Sequence, residues 1–156
     1  MDAVRYYEEC QPGLGGRFKE AVESAELLNE CRFLGGCRTG AAKITKGYRL
    51  PAKYVMHTVG PVWRGGNNGE AGFLVSCYRR SVEIAVADNI HSIAFPSIST
   101  GVYGYPVDFA ARVAVSTIRS LVQEFSDIIE EVIFCCFSSD DLLVYEGLLD
   151  GSCIKT

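Results

Sequence analysis

Imidazole, basic excess and long apolar runs are all scarce in this chain, and each shortage excludes something. There are two histidines, His57 and His91, and no two of the seven cysteines have the two-residue gap of a zinc knuckle, so a structural metal is not expected. The odd cysteine count, with Cys77, Cys135 and Cys136 in apolar runs, reads as free thiols in a reducing compartment. Net charge is −4, which gives no support to a nucleic-acid or membrane-surface role. The one local basic cluster, Lys43, Lys46, Arg49 and Lys53, reads as a solvated surface. No apolar run approaches membrane-spanning length, and the start, Met1-Asp2-Ala3-Val4-Arg5, has neither the basic opening nor the apolar core of a signal peptide. A cytoplasmic protein is expected, with the nucleus as the other location. No repeat, low-complexity tract or linker interrupts the chain.

What is present is a chain of 156 residues, 48% hydrophobic and 22% charged, the composition of one globular domain with a real core, here taken as residues 1–156. Short apolar runs alternate with amphipathic ones. Residues 1–17 read as a short strand or a frayed helix followed by a loop. Phe18 to Cys31 has helical spacing and stops at Gly35-Gly36. Ala42–Thr45 and Lys53–Val59 read as strands. A helix is expected with Phe73, Leu74, Cys77, Tyr78, Ser81, Ile84 and Ala85 on its inner stripe, then a strand at Ser92–Phe95. The next helix begins near Val107 and carries Phe109, Val113, Ala114, Thr117, Ile118, Leu121 and Phe125. Glu131–Phe137 is apolar almost throughout, as a central strand covered on both faces would be. Ser138 or Ser139 caps a last helix bearing Leu142, Leu143, Tyr145, Leu148 and Leu149, and residues 150–156 read as a loose tail. Strands alternating with helices predict an α/β domain with a mainly parallel sheet.

The chemistry concentrates in Phe95-Pro96-Ser97-Ile98-Ser99-Thr100-Gly101-Val102-Tyr103-Gly104-Tyr105-Pro106. A Ser/Thr/Gly-rich loop between strand and helix is where α/β proteins hold phosphates, because glycines admit a ligand close to the backbone and free amides point at the anion. From spacing alone, an anion-binding loop and an ordinary βα turn both remain open.

Three segments, residues 36–45, 50–63 and 94–106, resemble the macrodomain (Appr-1''-p processing) family, in the branch of O-acetyl-ADP-ribose deacetylases and mono-ADP-ribosyl hydrolases. The resemblance runs over about residues 27–149. It implies a three-layer α/β/α sandwich around a mixed sheet, and no cofactor. It implies ADP-ribose or ADP-ribosylated protein as partner. Ser97, Ser99, Thr100, Gly101, Val102, Tyr103 and Gly104 would wrap the pyrophosphate and distal ribose, and Phe137 would pack on the adenine, for which core packing is the alternative. A gapless match onto Asp2–Val22 pairs Asp2-Ala3-Val4, Gly15-Gly16 and Ala21-Val22 with the family, so Gly15 and Gly16 join the ligand-binding set. The family's first strand has no counterpart in this match, and residues 1–26 are divergent.

Two functional positions depart from the family. Glu9 stands where an Asn contacts the distal ribose, and Lys19 where an Asp orients the attacking water. A lysine ammonium cannot act as that base at neutral pH. Glu9 itself, and Glu20 with a one-residue shift of register, are the acidic candidates that remain for catalysis. The resemblance therefore implies an ADP-ribosyl hydrolase or O-acetyl-ADP-ribose deacetylase, a non-catalytic reader of the same ligand, or a degenerate interaction module. Without a first strand, an open sheet edge is also expected, where a second copy would pair unless residues 1–10 cover it.

Overall fold

The computed structural model describes residues 4–5 and 25–150. The elements in chain order are β1 (Val4–Arg5), α1 (Ala25–Phe33), β2 (Ala42–Lys46), β3 (Tyr54–Thr58), α2 (Glu70–Ala87), β4 (Ser92–Pro96), α3 (Val107–Glu124), β5 (Glu131–Cys135) and α4 (Ser139–Leu149). β1 pairs parallel with β3, Val4 opposite Tyr54, and β2 pairs antiparallel with β3, Ile44 opposite Met56. β4 and β5 pair parallel, Ala94 opposite Ile133. β1 also lies against β4, so the strands run β2-β3-β1-β4-β5 across the molecule. The first residues thus supply a strand between β3 and β4.

Consecutive strand residues face opposite ways, and β3 shows the consequence. Val55 joins Leu27 and Leu50 in a small cluster beneath α1. Met56 joins the large core on the other face, with Leu74, Tyr78 and Val82 of α2, Ile118 and Leu121 of α3, and Phe95 of β4. α2 packs on α3 and α3 on α4. The result is the three-layer α/β/α arrangement. His57 points with Val55 toward α1, its Nε2 2.9 Å from Thr45 Oγ1 and 3.8 Å from Cys31 Sγ. Burial pushes its pKa down, with Glu30 pulling the other way. Lys43, on the same face, donates to the Leu34 carbonyl.

The helices start and stop for local reasons. Pro106 precedes α3 and has no amide to leave unsatisfied. Ser138, the cap of α4, accepts the Asp141 amide at 3.1 Å, and Asp140 and Asp141 complement the helix dipole in its first turn.

Four expectations need correction. β5 is not a central strand. Among the described residues it pairs with β4 alone, Glu131 and Cys135 are exposed, and the residues between them are half-buried. Cys135 accordingly is no buried hydrophobe. Phe109 and Phe73 lie outside the buried stripes of α3 and α2, which are carried by Ala110, Ala111, Val115 and Val82 in addition to the expected residues. In α4 only Tyr145 is buried; Leu142, Leu143 and Leu149 are exposed. In each case an apolar residue at helical or strand spacing lacks an opposing layer among the described residues.

The two classes of leucine should separate on truncation. Leu74→Ala, at a site with no exposure, is expected to cost about 3 kcal/mol of unfolding free energy. Leu143→Ala, 65% exposed, should stay within about 0.5 kcal/mol. Urea unfolding of the two variants checks both.

Candidate functional site

The loop that follows β4 is held by its own backbone. Thr100 directs both its amide and its hydroxyl to the Ser97 carbonyl, at 3.4 and 2.9 Å. Gly104 N–H donates to Gly101 O at 2.9 Å, and Tyr105 N–H to Ser99 O at 2.9 Å. Trp63, from the segment after β3, donates its amide to Tyr103 O at 2.9 Å. Within this frame Ile98 and Tyr105 are buried, whereas Gly101 is exposed and Val102 is 77% exposed. The amides of Ser99, Gly101 and Val102 donate to no group among the described residues. Buried backbone donors are almost always paired, so amides left free in a tight loop are available to an acceptor from outside.

Ser99 is the strained point. Its φ is +68°, in the left-handed region that costs a residue with a Cβ roughly 1–2 kcal/mol. Its hydroxyl is buried and finds no hydrogen-bond partner among the described residues. The side chain fits because its neighbour at the end of β3 is Gly60: a methyl group there would overlap Ser99 Oγ and stand 2.7 Å from Ile98 Cγ2. The segments that leave β3 and β4 thus meet at a seam where only glycine fits on one side.

Beneath the loop, Ser97 Oγ donates to Tyr145 Oη at 3.3 Å. Tyr145 lies 5.0 Å, centroid to centroid, from Phe134 of β5. Burial raises the phenol pKa of Tyr145, and raises that of Tyr78 well above its ordinary value. Both are therefore neutral phenols at physiological pH. Phe137, two residues beyond β5, is 73% exposed. Core packing, the alternative for this ring, does not occur, and its face is open to a flat partner.

The wall beside the loop is the segment 61–69. Trp63 lies tilted against Tyr105 with ring centroids 4.6 Å apart, and against Phe109 with centroids 6.1 Å apart. Behind it Glu70, buried in the first turn of α2, accepts the amides of Arg64 (2.9 Å), Gly66 (3.2 Å) and Asn68 (2.7 Å). Burial opposes the charge, but these bonds and that from its own amide outweigh it and hold the carboxyl at about 2.

The structure thus brings Ser97, Ser99, Thr100, Gly101, Val102, Tyr103 and Gly104 into one loop. Glu9, Gly15, Gly16, Lys19 and Glu20 lie outside the described residues. Gly60, Trp63 and Glu70 pack or bond around the loop and its wall, and none of them is among the candidate site residues read from the sequence. The signal for Glu70 was an acid directly after an Asn/Gly-rich loop, at a helix start. The match of Gly60 to Ser99 has no sequence signal, since the two are 39 positions apart.

Two outcomes follow from this geometry. Gly60→Ala should lower the melting temperature and disorder the loop, read by calorimetry and by amide exchange at residues 97–105. Glu70→Gln should be less stable than the wild type at neutral pH. Because the folded carboxyl titrates near 2, below its ordinary 4.5, the stability it contributes is present above about 4.5 and disappears as pH falls toward about 2. The gap in melting temperature between the two proteins should therefore close across that window.

Comparison with known proteins agrees with the fold. Residues 9–114 match the Macro domain family. The Macro domain-containing protein CT2219 of Chlorobaculum tepidum is 57% identical over 138 residues, covering 86% of this chain and 80% of that protein. The ADP-ribose glycohydrolase MACROD2 of Xenopus laevis is 51% identical over 125 residues, 80% of this chain but 30% of that protein. Among solved structures, a mutant macrodomain of Oceanobacillus iheyensis with ADPR superposes with a TM-score of 0.82 at 34% identity, covering 97% of this chain and 87% of that one. A Trypanosoma brucei macrodomain in complex with ADP-ribose gives a TM-score of 0.81 at 37% identity, over 95% of this chain and 63% of that one. With a family match over most of its length and close relatives on both measures, the chain belongs to the Macro domain family.

Proposed function

We propose that this chain recognises ADP-ribose, free or as an ADP-ribosyl group on a protein, at the loop 97–105. The observation that carries the reading is the set of amides at Ser99, Gly101 and Val102 that have no partner among the described residues, with Gly101 and Val102 exposed just beyond β4 and Ser99 buried and strained beside them. A pyrophosphate suits such amides, and the exposed ring of Phe137 suits a purine. The complexes of the two macrodomains named above, one with ADPR and one with ADP-ribose, support the same ligand here.

A second reading adds hydrolysis of O-acetyl-ADP-ribose or of mono-ADP-ribosylated protein. The name of the MACROD2 relatives favours it. In that reading the loop grips the pyrophosphate, and a water near the distal ribose attacks the ester carbonyl, releasing the acid and ADP-ribose. Positioning and electrostatic stabilisation carry the rate. The described part of the site contributes amides and neutral phenols, so the group that orients the water is assigned to the N-terminal acids, Glu9 or Glu20.

Calorimetric titration with ADP-ribose, with ADP and AMP as controls, tests the binding reading. Gly101→Glu should weaken ADP-ribose by more than about tenfold, since a side chain and a negative charge would enter the phosphate seat. A folded Gly101→Glu protein with wild-type affinity would show that the ligand sits elsewhere. Release of acetate from O-acetyl-ADP-ribose, lost in Glu9→Gln or Glu20→Gln with binding retained, would establish hydrolysis; absence of turnover by a protein that binds would establish a reader.

A further inference from the structure

The bonds that Glu70 accepts do more than begin a helix. Its two oxygens divide the work: Oε1 takes the amides of Arg64 and Gly66, and Oε2 that of Asn68. The Gly66 bond draws the backbone over the indole of Trp63, so closely that a methyl group on Gly66 would stand 2.8 Å from Trp63 Cη2. Gly66 has φ +86°, which a side chain would also resist. The indole is thus clamped between Gly66 and Tyr105, and the Trp63 amide holds the Tyr103 carbonyl. Tyr103 and Tyr105 flank Gly104, whose own amide closes the turn on Gly101 O. A continuous series of contacts therefore runs from the buried carboxylate, through Gly66 and Trp63, to the turn that carries the free amides.

We propose that Glu70 is a positioning residue for the phosphate loop, acting through Trp63 to set the direction of the Gly101 and Val102 amides. The ligand side of this inference rests on the ADP-ribose reading above; the coupling between the two loops does not. The chemistry requires a carboxylate. A carboxamide of the same shape presents a donor where one of the loop amides also donates, and that pair of donors must separate. The released segment then no longer presses on the indole, and the Trp63–Tyr103 bond loosens. A purely structural role for Glu70 would confine the damage to residues 63–69 and the start of α2.

Hydrogen exchange and calorimetry on the wild type and Glu70→Gln separate the two. Without ligand, Glu70→Gln should exchange the amides of residues 99–105 faster, with those of α4 unchanged. At a temperature where both proteins are folded, ADP-ribose should bind Glu70→Gln about tenfold more weakly, the size expected of a mutation that acts through intervening contacts. Faster exchange confined to residues 63–69, with residues 99–105 at the wild-type rate, overturns the inference. So does wild-type affinity alongside wild-type exchange in the loop. If the wild type itself gives no heat with ADP-ribose while Glu70→Gln exchanges faster at 99–105, the ligand reading falls and the coupling stands. Gly66→Ala leaves the carboxylate in place and pushes on the indole. Where Glu70→Gln does not fold, faster exchange at 99–105 in Gly66→Ala is the expected result, and an unchanged rate is the overturning one.

Discussion

The left-handed backbone at Ser99, seated against Gly60, is the constraint on which the site depends. A serine in that conformation is a cost of roughly 1–2 kcal/mol, and its buried hydroxyl is unpaired among the described residues. Both are tolerated because the neighbouring strand end carries no side chain and because three loop hydrogen bonds close around the strained residue. Strain of this kind persists only where the surroundings over-determine it. The sheet supplies those surroundings: β1 lies between β3 and β4, and the loops that leave β3 and β4 meet at one end.

Recognition and chemistry are assigned to different parts of the chain. The described part of the candidate site has an exposed aromatic ring, loop amides without a partner among the described residues and, beneath them, two buried phenols whose pKa values burial raises. The acids considered for catalysis, Glu9 and Glu20, belong to the N-terminal segment, where this chain departs from the family's residues.

Much of the fold was legible because burial follows periodicity. Leu74, Cys77, Tyr78, Ser81 and Ala85, and likewise Ala114, Thr117, Ile118 and Leu121, recur at helical spacing and are buried. The same rule failed for Phe73, Phe109, Leu142, Leu143 and the residues of β5. Spacing says which residues share a face, not whether another layer covers that face. Phe137 shows the gain from the structure: one apolar letter had two readings, and its exposure removes core packing.

The sequence alone determined the alternation of strands and helices from β2 onward, the position of the Ser/Thr/Gly-rich loop between β4 and α3, and the family, since these rest on local pattern and on contiguous residues. The tertiary structure decided which loop amides stay unpaired, why Ser99 can hold its strained backbone, and how Glu70 reaches the loop through Trp63. Those depend on pairs such as Gly60 with Ser99, Trp63 with Tyr103 and Gly66 with the indole. Each pair meets only when the sheet brings separate strand ends together or a loop folds back on itself, and no local pattern in the chain specifies that distance.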